Sequence, residues 1–204
     1  MLDPLDKELE RRNLRFVRYA DDCNIFVKSR KAGKRVMENM TNFIEKELSL
    51  KVNREKTALD RPWKRDYLGF SFTYHKEPKI RIARKSIQKM KQRIRELTSR
   101  SHSISMEERI KRLNQYLMGW CGYFSLADTP TVFKNLDKWI RRRLRMILWK
   151  QWKKPKTKVK KLIQLGVQPY KAYEWGNSRK SYWRISKSPK LHQTLATLIG
   201  VAKG

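Results

Sequence analysis

Two adjacent carboxylates, Asp21 and Asp22, stand between two short apolar runs, Phe16-Val17 and Ile25-Phe26-Val27. Such runs around a short polar step read as the strands of a β-hairpin, with the acids at its tip. Like charges side by side cost stability unless a cation or a donor offsets them. Mg²⁺ is commonly held by one or two carboxylates together with substrate phosphates. A rigid hairpin carrying this pair is therefore suited to be half of a two-metal phosphoryl-transfer site. Asp is also a common turn residue, so a plain polar turn is the competing reading.

The net charge of +31 over 204 residues points to a polyanionic partner. It is uneven. Residues 1–80 hold 19 Lys and Arg against 13 Asp and Glu, and residues 81–204 hold 31 against 6. The basic part is thus separate from the acidic pair, as expected if one part grips nucleic acid and the other holds metal. A solubilising surface or an anionic-membrane binder is the alternative. Seven Trp and eight Tyr, recurring among the basic residues, argue for base stacking beside a basic groove. Cys23 and Cys121 form no CxxC motif and read as small core residues in a reducing cytoplasm. His75, His102 and His192 are scattered and suggest no zinc site. No run approaches the length of a membrane span, and the N-terminus has no signal-peptide pattern.

Along the chain, residues 3–12 read as a helix with Asp3 as N-cap and Pro4 in the first position. The hairpin covers roughly 14–28. Val36, Met37, Met40, Phe43, Ile44 and Leu48 recur at helical spacing, and their face should pack on the hairpin. Leu50 and Val52 alternate as a short strand would, and Asn53 to Thr57 is a polar turn. Tyr67 to Tyr74 reads as a strand, with Ile80 and Ile82 as its hairpin partner. After Ala83 the pattern turns helical and basic. The stripes are Ile87, Met90, Ile94 and Leu97, then Ile110, Leu113, Leu117 and Trp120 behind a Ser105–Glu108 capping box. The third is Phe133, Leu136, Ile140, Leu144, Ile147 and Leu148. Three amphipathic helices with short loops predict a bundle. Its outer face is expected to carry Arg141, Arg142, Arg143 and Arg145 along a phosphate backbone, a solvated face being the alternative. Lys153 to Lys161 reads as a linker or basic loop, followed by a short helix that Gly166 caps. Tyr170, Tyr173, Trp175, Tyr182 and Trp183 interleave with basic residues. Trp175 and Trp183 are expected to pin this tail to the bundle while Arg179, Lys180 and Arg184 face RNA. Pro189 to Ile199 reads as a closing helix with Leu191, Leu195, Leu198 and Ile199.

Four stretches carry a family resemblance: Leu5-Asp6-Lys7-Glu8-Leu9 with Arg15-Phe16-Val17-Arg18-Tyr19-Ala20-Asp21-Asp22; Leu50-Lys51-Val52-Asn53-Arg54-Glu55-Lys56-Thr57; Tyr67-Leu68-Gly69-Phe70-Ser71-Phe72; and Trp175-Gly176-Asn177-Ser178-Arg179-Lys180 with Tyr182-Trp183-Arg184. In order and spacing they resemble the group II intron-encoded reverse transcriptase/maturases. The resemblance implies an α+β chain: a partial reverse-transcriptase palm over residues 1–83, made of β-hairpins plus a helix, followed by an all-α basic thumb bundle over 84–204. It implies Mg²⁺-dependent synthesis of DNA on an RNA template, with Asp21 and Asp22 as catalytic metal ligands. Nucleic-acid contacts are expected at Tyr19, Lys56, Gly69, Arg141, Arg142, Arg145, Arg179, Lys180 and Arg184. Gly69 inside a strand fits close approach of the primer strand, or equally a bulge or tight packing. Implied partners are group II intron RNA, an RNA template with a DNA primer, deoxynucleoside triphosphates, and a separate fingers-palm fragment. In the family, fingers and the first catalytic aspartate precede the hairpin, whereas this sequence opens at Met1, so the chain alone is expected to be inactive as a polymerase. The alternative is a catalytically inert RNA-binding splicing factor.

Overall fold

The computed structural model describes residues 3–195. Helices predominate, with four short strands, an α+β composition. The chain divides into two compact units, Met1–Pro78 and Lys79–Gly204; the change in composition that sequence places at Ala83 lies a few residues later.

The first unit opens with α1 (Asp3–Arg11), which buries Leu5 and Leu9. It ends at Asn13, held at φ 53. There Leu14 N–H donates to Leu9 O at 3.0 Å and Asn13 N–H to Glu10 O at 2.8 Å. This is a Schellman closure with Asn in the position glycine usually fills. Strands β1 (Arg15–Tyr19) and β2 (Asp22–Phe26) pair antiparallel, with Phe16 opposite Ile25 and Tyr19 opposite Asp22. Alternation turns Phe16, Cys23 and Ile25 toward Leu5, Leu9 and Met40. Helix α2 (Arg30–Lys46) starts where Ser29 Oγ accepts from Ala32 N–H at 3.1 Å. Its Val36, Met40, Phe43 and Ile44 close the same core, as the helical spacing predicts.

Two strand expectations need correction. Leu50–Val52 forms no strand, because Ser49 sits at φ 52 and Asn53 begins a turn three residues on. In that turn Asn53 Oδ1 accepts from Glu55 and Lys56 N–H, an Asx turn that satisfies the backbone locally. The Tyr67–Tyr74 strand shrinks to β3 (Phe70–Phe72). Leu68 (φ 50) and Gly69 (φ 80) make a two-residue reversal closed by Tyr67 and Phe70 in both directions, at 2.8 and 2.9 Å. Positive φ at both central residues defines a type I′ turn.

The second unit runs from β4 (Ile80–Ile82) through α3 (Arg84–Leu97), α4 (Met106–Tyr123), α5 (Pro130–Gln151), α6 (Pro155–Gln164), α7 (Pro169–Gly176), α8 (Tyr182–Ile185) and α9 (Pro189–Thr194). Helices α5, α6 and α7 carry proline in their first turn, where its missing N–H costs nothing. Ser105 caps α4 by accepting from Glu108 N–H at 3.1 Å. The expected stripes meet in one core: Met90 and Ile94, Leu113, then Leu136, Ile140, Leu144 and Trp149. Every residue from Leu144 to Trp149 is buried, so α5 is enclosed on all sides there.

The basic stretch expected as a linker is instead helical from Pro155. Val159 and Leu162 face the core, and Lys156, Lys160 and Lys161 stay exposed, so one apolar stripe suffices to order a lysine-rich segment. Gly166, at φ 83, closes α6: Val167 N–H donates to Leu162 O and Gly166 N–H to Ile163 O, the Schellman pattern sequence predicts. The aromatic tail is also helical, as α7 and α8. Cys121, expected in the core, is exposed on α4. Leu198 and Ile199 of the expected closing helix lie outside the described residues.

Candidate active-site hairpin and nucleic-acid interface

The β1–β2 hairpin turns through two residues, Ala20 and Asp21, with Tyr19 and Asp22 as the closing pair. Ala20 takes φ 54, a left-handed conformation more usual for Gly, Asn or Asp in a turn. Arg18 supports it. Its Nη1 donates to Ala20 O at 2.8 Å, while Nε donates to Asp6 Oδ1 at 2.7 Å and Nη2 to Asp6 Oδ2. Helix α1 is thereby tied to the acid-bearing turn. The Arg18 hydrogen bond holds the Asp6 carboxyl below the usual carboxylate range, burial opposing it. Sequence reasoning missed this link, although a signal existed: alternation places Arg18 on the inward face with Phe16, where a charge needs a partner.

Asp21 and Asp22 are both exposed, as is Tyr19. Neither acid joins an ion pair among the described residues. The Tyr67 phenol is pushed up by burial, with Cys23 and Asp22 adding and Arg18 opposing. Lys56 is exposed, in the Asn53 turn, and its carbonyl accepts from Arg65 Nη2 at 2.9 Å. Among the described residues, no three His, Cys, Asp or Glu side chains gather as a metal-ligand cluster. Two hard, exposed carboxylates fit part of a Mg²⁺ site that substrate phosphates complete.

In the second unit the expected outer arginine face is corrected. Arg145 is buried and donates through Nε to Ser186 O at 3.1 Å. Arg142 lies 3.8 Å from the centre of the Trp183 ring and donates to Trp183 O at 2.9 Å. Arg143 donates to Thr98 Oγ1 at 2.6 Å, and Arg141 is tied to Asp137 at 2.8 Å. For Arg142 and Arg145 the reason is tertiary: α8 folds back on α5 about forty residues later, which no local period can reveal. Burial and the neighbouring Arg142 and Arg141 push the Arg145 guanidinium down from its ordinary range.

Arg109 was also missed. It shares the inward face of α4 with Leu113, one turn away, and donates to the carbonyls of Leu97, Ser99 and His102 at 2.8–3.1 Å. Lys158, also buried, sits 5.1 Å over the Trp149 ring. Trp175 and Trp183 pack on the core while Arg179, Lys180 and Arg184 remain exposed.

An exposed acidic hairpin and a helical unit whose cations far outnumber its acids are the features the comparisons with known proteins bear on. Residues 1–72 match the family model of reverse transcriptase (RNA-dependent DNA polymerase), and residues 87–165 match that of the group II intron, maturase-specific domain. The chain belongs to the group II intron reverse transcriptase/maturase family. Among curated proteins, none matches it. No helix of the described residues is long and apolar enough to cross a membrane.

Proposed function

We propose that the second unit, as a maturase thumb, binds group II intron RNA and stabilises its splicing-competent form. The first unit, as palm, supplies Asp21 and Asp22 to a site that copies RNA into DNA. The observation that carries this reading is the pairing of an Arg18-braced acidic turn with a separate unit whose cations outnumber its acids. Bound Mg²⁺ would supply charge stabilisation for the transferring phosphoryl group. The chain's own part is to hold two carboxylates in fixed register on a short, closed hairpin. Tyr19, Lys56 and Gly69 line the expected path of primer and template, and Arg179, Lys180 and Arg184 present exposed charge to RNA. Arg141, Arg142 and Arg145 act chiefly on the fold, since each guanidinium is tied within the protein through one nitrogen, to Asp137, Trp183 O and Ser186 O.

A second reading, an RNA-binding splicing factor without polymerase activity, is favoured by the hairpin's offering two acids and no third ligand among the described residues. Labelled-primer extension on an RNA template, with a fingers-palm fragment of a relative added and run beside intron-RNA binding and splicing, separates the two. Under the first reading Asp21→Ala abolishes extension and leaves RNA affinity nearly unchanged. Binding and splicing with no extension even when a fingers-palm fragment is added selects the second. Absence of RNA binding overturns both.

A further inference from the structure

Helices α7, α8 and α9 enclose a groove of about 530 Å³, within the roughly 300–1,000 Å³ typical of small-ligand sites. Its floor is apolar: Trp175 is half-buried, and Ile185 and Leu191 are 6% and 1% exposed. Its rim is cationic, from Lys180, Arg184 and Lys187. None of the three enters an ion pair among the described residues. One acid, Glu174, stands at the wall.

We infer that this groove takes one unstacked nucleotide of single-stranded RNA whose base carries an exocyclic amino group. The inference rests on the RNA-binding reading of the second unit and deepens it. A base lies flat against an aromatic and aliphatic floor, while the flanking phosphates meet the three cations. Duplex RNA needs no such floor, because its bases are already stacked and present only edges and backbone. Glu174 would repel a phosphate placed on the floor but accepts from an amino group, as acids do from cytosine N4. Cytosine, adenine and guanine offer that donor, and uracil does not. A second cavity of this unit, between α4, α5 and α6, measures about 310 Å³ and brings only Lys161 and Glu107 as charges. Its charges balance and give a polyanion no advantage.

The test uses the full chain with 12-nucleotide oligocytidine, 12-nucleotide oligouridine and a 12-base-pair RNA duplex, read by fluorescence anisotropy. A parallel ¹⁹F spectrum of 5-fluorotryptophan-labelled protein is assigned through Trp175→Phe. Oligocytidine is expected to move the Trp175 resonance and the duplex to leave it in place. Arg184→Ala with Lys187→Ala should weaken single-strand binding about tenfold and lower the salt slope by about 1.4, with duplex affinity much less affected. Glu174→Gln should narrow the preference for oligocytidine over oligouridine. RNA binding with an unmoved Trp175 signal, or with single strand and duplex equally weakened by the double variant, overturns the groove and leaves RNA binding by the unit intact. Equal affinity for the two oligomers in the unaltered chain overturns the amino-group requirement and with it the inference as stated. No binding of any RNA removes the underlying reading as well.

Discussion

The two units satisfy their cations in opposite ways. In residues 1–78, 18 Lys and Arg face 13 acids, and cations meet carboxylates: the half-buried Arg18 meets Asp6, and Arg11 and Arg12 on the surface meet Glu8. In residues 79–204, 32 face 6. There most of the inward arginines meet carbonyl oxygens, Arg141 with its Asp137 carboxylate being an exception. Arg109 spans three of them, Arg142 and Arg145 hold α8, and Arg143 closes the end of α3. A guanidinium can do this because its five N–H donors fan out in a rigid plane. A carbonyl satisfies the donor without cancelling the charge. The second unit thus uses arginine as a structural tie and still presents its positive charge to a polyanion, whereas the first spends much of its charge internally.

The largest expected consequence is in RNA affinity. Six to ten phosphate contacts would cost about 10³–10⁵ in affinity between 50 and 200 mM salt. Filter binding of intron RNA measures this slope. A flat response would break the comparison, because it would mean that the second unit's excess charge does not reach the RNA.

Next comes the structural tie itself. Arg109→Met leaves three carbonyls near the α3–α4 loop without their donor, at about 1–3 kcal/mol for each buried group left unpaired. A loss of about 3 kcal/mol or more is expected in urea denaturation followed by tryptophan emission, since six of the seven Trp lie in this unit. Arg109→Lys should recover little, because an ammonium cannot span the same fork. Full recovery by lysine would show that charge, not geometry, is what the site requires.

How much of this was legible in sequence follows from the range of each interaction. The hairpin, the α2 face, the three helical stripes and the Gly166 cap are local patterns of period two, period 3.6 or a single turn, and they stand where sequence places them. The folded-in arginines were misread because an Arg run beside an apolar stripe looks the same whether water or a later helix covers it. Ser186 and Trp183, which receive Arg145 and Arg142, are about forty residues away. Lys153–Lys161 was misread for the opposite reason. Its charge suggested a loop, while two core residues, Val159 and Leu162, sufficed to fix a helix. At the candidate site, the two acids were plain in the sequence. The Arg18 brace was readable only by asking which way Arg18 points.

A smaller effect is expected at that brace. Arg18→Ala removes hydrogen bonds to Asp6 and Ala20 O, both partly exposed, and should lower the stability of the first unit modestly. Hydrogen exchange at the β1–β2 amides should rise with it. Arg18→Lys keeps the charge but not the bidentate fork, and should restore less than half. If Arg18→Lys behaves as the unaltered chain, the turn does not depend on the Ala20 contact.

The smallest expected effect concerns pH, and it follows from the same contrast. Two acids of the first unit have folded-state pKa values below their ordinary ones. Asp6 is lowered by its Arg18 hydrogen bond, and Glu8 is lowered to about 2 by hydrogen bonds from Arg11 and then Arg12. A depressed carboxylate contributes stability that is fully present above its unfolded pKa, near about 4. That contribution is lost as pH falls through the folded pKa, so the window here is about pH 4 down to 2. The carbonyl-bound arginines of the second unit have no such loss, because a carbonyl does not titrate in this range. One exposed pair there, Glu108 with Arg112, also lowers a carboxylate, but it lies on the surface of α4 and is worth little. Hydrogen exchange corrected for intrinsic rate, taken at pH 5, 4, 3 and 2.5, should therefore show opening of α1 and the hairpin rising faster than opening of α5. Arg18→Met should flatten the part of that rise that belongs to Asp6. If α5 opens as steeply as the hairpin, the second unit also depends on titrating partners, and the division between carboxylate-held and carbonyl-held cations does not govern the two stabilities.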